Sequence, residues 1–133
     1  MDGTRLTLRV DFGSSRSIGP GKIRLLEAID RTGSISQAGK SLGMSYRRAW
    51  LLIDDMNQCF REVVVSAKPG GAKGGGAVLT EFGAALVRDY RAIEEAAALA
   101  AKMKLRALES ALRAAGRAEA IEPRKMSLRS RKP

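Results

Sequence analysis

Gly43 constrains this fold more than any other residue. It separates two segments of unequal length, about Ile35 to Leu42 and Tyr46 to about Arg61, whose apolar residues recur at helical spacing. Ala38 and Leu42 stand four apart in the first, and Ala49, Ile53 and Met56 repeat at four and three in the second. Glycine between them lets the backbone take a positive φ at little cost. Met44 is then expected to turn back into the core and Ser45 to cap the second segment. Upstream, Gly33 ends an earlier helix, and Ser34 or Ser36 can accept a bond from a free backbone N–H of the next. The result is a short helix, a tight turn and a longer helix that opens Ser45-Tyr46-Arg47-Arg48. That is the pattern of a helix-turn-helix, whose second helix enters the major groove of DNA.

The flanks extend the pattern. Residues 5–12 alternate, with Leu6, Leu8, Val10 and Phe12 on one face, which is strand periodicity. Gly13 to Gly21 reads as a Gly/Ser/Pro connection, and a first helix runs from Lys22 to about Arg31 with Ile23, Leu25, Leu26 and Ile29 inward. In the third helix Trp50 and Leu52 are expected to widen the buried seam. Residues 62–67 and 77–80 read as paired strands around a loop, Lys68 to Gly76, that holds five Gly, one Pro and two Lys. Thr80 is placed to cap a last helix reaching about Ala115. Phe82, Leu86, Tyr90, Ile93, Ala97 and Ala100 follow a spacing near 3.5, and Leu105, Leu108 and Leu112 continue the stripe. The fold class expected is mainly α with a small β wing: a winged helix-turn-helix plus a long carboxy-terminal dimerisation helix. The domains expected are a DNA-binding domain over 1–79, the long helix over 80–115 and a basic, disordered tail over 116–133. The tail holds five Lys/Arg against one Glu in residues 120–133.

Composition narrows the partners. With 133 residues the chain is long enough for one modest core. Its 24 Lys and Arg against 14 Asp and Glu leave a formal charge of +10, so a polyanion is the expected partner. Double-stranded DNA is favoured over a membrane surface, because no apolar run approaches the roughly 20 residues that span a bilayer. The amino terminus has no apolar secretion segment, and the single Cys59 cannot form an intrachain disulfide; both agree with a cytoplasmic location. There is no His, so a zinc site has almost no ligands to draw on.

The residues expected to touch DNA lie at three places. At the start of the third helix, free backbone N–H groups and the positive end of the dipole meet Ser45, Tyr46, Arg47 and Arg48. Arg47 is the first choice for base contact, since it projects away from Ala49 and Ile53, and a bidentate Arg–guanine pair discriminates by about 1–3 kcal/mol. Ser36 and Gln37 can anchor a phosphate at the start of the second helix. Lys68 and Lys73 in the Gly-rich loop can follow the neighbouring backbone as a wing. Nucleotide binding by that loop is rejected, because Lys73 precedes Gly74 and the loop leads into a strand, whereas a phosphate-binding loop runs G-x-x-x-x-G-K-[ST] into a helix. Phe82, Leu86, Tyr90, Ile93, Ala97 and Ala100 are the expected dimerisation residues, since a symmetric pair reads half-sites about 34 Å apart.

Several of these runs carry a family resemblance. Ala38-Gly39-x-x-Leu42-x-Met44-Ser45-x-x-x-Ala49-Trp50-x-x-Ile53-x-x-Met56-Asn57 resembles the winged helix-turn-helix of LysR-type regulators. Gly33-Ser-Ile-Ser-Gln37, Ser45-Tyr46, Ala49-Trp50, Met56-Asn-Gln58 and Gly74-Gly-Gly-Ala-Val-Leu-Thr80 resemble the amino-terminal domain of ModE-type molybdenum-dependent regulators. The likeness covers about residues 5–95. It implies a homodimer joined through long helices on a palindromic operator, with targets among genes for molybdate transport and molybdoenzymes. Full-length members also carry carboxy-terminal oligonucleotide-fold-like domains that bind molybdate between subunits. A chain ending at Pro133 is expected to lack that pocket, which leaves open ligand-independent control, a separate molybdate-binding subunit as partner, or a changed set of targets.

The expected function is therefore a sequence-specific, homodimeric transcription regulator with no cofactor and no catalysis of its own. Two alternatives stand beside it: a sequence-tolerant architectural DNA-binding protein, and an adaptor that pairs with a separate sensor subunit. An enzyme is disfavoured, because no nucleophile–base pair, metal cluster or cofactor loop is evident.

Overall fold

The computed structural model describes residues 3–68 and 76–114. Among them are two short hairpins and five helices: β1 (Val10–Phe12), β2 (Arg16–Ile18), α1 (Pro20–Thr32), α2 (Ile35–Ser41), α3 (Tyr46–Cys59), β3 (Val65–Lys68), β4 (Gly76–Leu79), α4 (Glu81–Ala100) and α5 (Lys102–Ser110). This is a mainly α, winged helix-turn-helix fold. No helix among the described residues is long and apolar enough to cross a membrane.

The core forms where three helices meet. α1 buries Ile23, Leu25, Leu26, Ala28 and Ile29, α2 adds Ala38, and α3 adds Ala49, Ile53 and Met56. Ile18, Val64, Val65, Ala77 and Tyr90 close it from the hairpins and from α4. Each fully buried large aliphatic side chain contributes about 1.5–3 kcal/mol. α1 starts two residues earlier than its periodicity suggests, because Pro20 at its first position has a preset φ and no N–H to satisfy. It stops at Gly33, whose φ of 70° lets its N–H reach the Ile29 carbonyl.

Four local expectations are corrected. The strand over residues 5–12 shrinks to β1. Residues 3–9 have no strand partner among the described residues and are held instead by the last helices: Tyr90 Oη donates to the Leu8 carbonyl at 2.6 Å, and Thr4 Oγ1 donates to the Glu109 carboxylate. The expected connection from Gly13 to Gly21 contains β2, which pairs antiparallel with β1 through Val10↔Ile18 and Phe12↔Arg16 across a turn at Gly13, φ 77°. α3 ends at Cys59, not near Arg61. Phe60 turns extended and packs its ring edge-on against Phe12 and Phe82, at 5.9 and 5.2 Å. The helix after Thr80 is divided at Ala101, where ψ relaxes to −1°. Bonds from Ala101 N to Ala97 O and from Leu105 N to Ala101 O continue through the division, so α4 and α5 remain one track.

Candidate nucleic-acid interface

The helix-turn-helix is held by backbone bonds that few other residues would permit. Ser34 Oγ accepts from Gln37 N at 3.1 Å and so caps α2; Ser36 lies inside the helix, exposed beside Gln37. The turn closes when the N–H groups of Leu42 and Met44 both reach the Gly39 carbonyl, and Gly43 takes a φ of 73°. Gly39 is also where α2 crosses α3. A Cβ there would stand 3.1 Å from the Ala49 Cβ and 3.3 Å from the Met44 carbonyl, so even alanine would need its neighbours to give by a few tenths of an ångström, and glycine lets the helices approach this closely. Ser45 Oγ then accepts from Arg48 N at 3.1 Å and opens α3 with no acidic residue in its first turn.

That first turn points outward. Tyr46, Arg47 and Arg48 are exposed, and among the described residues neither arginine side chain has a hydrogen bond or an ion pair. The buried Ala49, Ile53 and Met56 fix the opposite side of α3, so both guanidinium groups project over the surface. Further along, Asp55 is paired with Lys22 at 2.5 Å and Asp54 accepts from Gln58 at 3.0 Å. These partners moderate the acidic half of the helix. Trp50 corrects the sequence reading: it is 45% exposed and does not widen the buried seam, whereas Leu52 does pack against the core. Leu51, also 45% exposed, lies on the outward side, and the sequence reading gave it no role.

The wing is pinned at its base. β3 and β4 pair antiparallel from Val65↔Leu79 to Lys68↔Gly76. Lys68 is exposed at the outer end of β3; Lys73 lies outside the described residues. Asn57, at the end of α3, accepts from Val64 N at 2.7 Å and Val65 N at 3.4 Å, which ties α3 to the base of the wing. Periodicity alone gives Asn57 no such role. Thr80 caps α4 by accepting from Gly83 N and donates to the Val63 carbonyl. Ala77 N bonds to the Gly33 carbonyl, so β4 is anchored at the corner between α1 and α2. Along α3, then, Tyr46, Arg47, Arg48, Trp50 and Leu51 are exposed, and Arg47 and Leu51 lie opposite the buried seam.

No protein-family model matches the chain. Curated relatives do. The molybdenum transport protein ModE of Azotobacter vinelandii is 46% identical over 90 residues, 68% of this chain and 33% of that protein. The molybdenum-pterin-binding protein MopB of Rhodobacter capsulatus is 49% identical over 77 residues, 58% of this chain and 28% of that protein. The DNA-binding transcriptional dual regulator ModE of Escherichia coli K12 is 46% identical over 71 residues, 53% of this chain and 27% of that protein. The amino-terminal portion of this chain is ModE-like. The chain spans about a third of the length of these relatives.

Beyond the helix-turn-helix, the stripe on the last helices divides. Tyr90 is 2% exposed in the chain's own core, where burial pushes its phenol above the ordinary value, and Phe82 and Leu86 pack against the same core. Within the chain, then, Tyr90 is a core residue, and Phe82 and Leu86 are half-buried at the edge of the core. Ile93 and Ala100 are exposed and Ala97 is half-buried. Leu99 and Met103, at 72% and 73%, extend the outward apolar face. α4 is clamped to α1 by Arg91, which donates to both Glu27 oxygens at 2.9 and 3.0 Å and to Glu94 at 2.7 Å.

Proposed function

We propose that this chain is a sequence-specific DNA-binding transcription regulator that acts as a homodimer, with targets among genes for molybdate transport or molybdoenzymes. The observation that carries the reading is the outward first turn of α3, where two arginine side chains without protein partners stand at a helix N-terminus on a chain of charge +10. Helix dipole, backbone N–H groups and guanidinium groups all favour a phosphate or a guanine edge there. Ser45, Tyr46, Arg47 and Arg48 enter the major groove, while Ser36 and Gln37 hold the backbone beside it. Lys68, at the outer end of β3, follows the neighbouring DNA backbone, and the same part is proposed for Lys73 on its sequence alone. The relative from Escherichia coli is named a DNA-binding transcriptional dual regulator, and that of Azotobacter vinelandii a molybdenum transport protein.

The dimer reading is supported by the face of α4 and α5 that the core leaves free. Ala92, Ile93, Ala96, Leu99, Ala100, Met103 and Ala107 are exposed, carry no charge and repeat at three and four. Small residues among large ones permit close approach of a second helix. Phe82, Leu86 and Tyr90 support that helix from within the protomer.

Competition distinguishes this reading from a sequence-tolerant architectural protein. A duplex selected by the chain from a random pool should resist displacement by random duplex about a thousandfold or more. Displacement at near-equal concentrations contradicts a specific regulator and favours the architectural alternative.

A further inference from the structure

We propose that Leu51 reads the C5-methyl group of a thymine in the major groove, one or two base steps from the base that Arg47 contacts. The inference rests on the DNA-binding reading and adds a specificity-determining residue to it.

Single exposed leucines are ordinary on protein surfaces. Leu51 differs in its position. Four residues beyond Arg47, it is about 40° round the helix and about 6 Å further along it. Both lie opposite the buried seam of Ala49, Ile53 and Met56, so a groove that receives the Arg47 side chain also receives Leu51. The adjacent Leu52 packs against the core while Leu51 stays 45% exposed, so the pair divides between inside and outside. The next outward residue, Asp54, is engaged by Gln58. Trp50 is turned about 100° away, along the line of Asn57 and the wing base, and is off this stripe.

The chemistry selects the base. In the major groove, guanine, adenine and cytosine present donors and acceptors, and thymine alone adds a methyl group. An aliphatic side chain with no donor gains there only by covering that methyl. Six ångströms along the helix axis is close to two base steps of 3.4 Å, fewer when the helix lies oblique to the groove. Burying one methyl-sized group is worth about 0.8 kcal/mol, about fourfold in affinity for each half-site.

The test uses the full chain and duplexes it selects from a random pool. Each thymine of a half-site is replaced in turn by deoxyuridine, which removes the methyl group and keeps the pairing. One position near the Arg47 base should lose about fourfold with the unaltered chain. At that position Leu51→Ala should lose less than about 1.5-fold, while other thymines behave as before. Being half-exposed, Leu51 can be shortened without unfolding the chain, and an unchanged Tm checks this. A deoxyuridine loss that persists undiminished in Leu51→Ala, or no such loss anywhere in the half-site, overturns the assignment while specific binding stands. A pool that converges on no sequence overturns both the assignment and the regulator reading beneath it.

Discussion

At the scale of single residues, the tightest constraints come from atoms that have no room. A Cβ at Gly83 would stand 2.1 Å from the Val64 carbonyl oxygen, because the first turn of α4 rests directly on the strand leading into the wing. The obstacle is backbone, not the end of a flexible side chain, so Gly83→Ala must displace α4 or Val64. It should cost about 3 kcal/mol, at the upper end of overpacking effects, and lower Tm by more than about 8 °C in a thermal melt. An unchanged Tm would mean that α4 does not seat on Val64 as described. The capping serines and Thr80 were legible in the sequence because an N-cap is local: the oxygen and the N–H it accepts from are three residues apart. Gly83 and Asn57 were not, since their partners Val64 and Val65 are brought to them only by the tertiary fold.

At the scale of elements, α1 and α4 are joined by the Arg91–Glu27 pair. The hydrogen bonds from Arg91 hold the Glu27 carboxyl below its ordinary value of 4.5, against a smaller opposing effect of burial. A lowered folded pKa adds stability in full above the unfolded value, and that stability is lost as pH falls through the folded one. Both side chains are about a third exposed, so solvent discounts the gain to about 1 kcal/mol. Glu27→Gln should therefore be less stable than the unaltered chain in urea at pH 7, with the gap closing as pH drops below 4.5. A gap that is constant down to pH 3 would assign the effect to packing. Helices α1 to α3 and the wing were legible as elements because amphipathic spacing and Gly punctuation agree. The strand over residues 5–12 was not: alternation reports which side chains turn inward, and here the inward side is a helix with no edge to pair. Trp50 shows the same limit, since a large apolar residue beside a buried seam is indistinguishable in sequence from a member of it.

At the scale of the whole molecule, the two faces of α4 and α5 differ. Tyr90 and its neighbours close the core, and the uncharged stripe through Ala96, Leu99 and Met103 is exposed, where the proposed second copy would pack. Leu99→Glu should shift the chain from dimer to monomer in sedimentation equilibrium with no loss of monomer Tm; a dimer that survives it would place the interface elsewhere. A dimer that neutralises about eight phosphates should also lose affinity with a log–log salt slope near −7, and a slope near half that would fit one reading head.

The measurement that reaches the claim most directly is the binding of Arg47→Ala to a selected duplex and to random duplex, side by side at one salt concentration. If the first turn of α3 reads bases, the selected site loses about tenfold or more for each half-site while random duplex changes by less than about threefold. Equal losses on both would contradict base reading by Arg47 and leave it a phosphate contact alone.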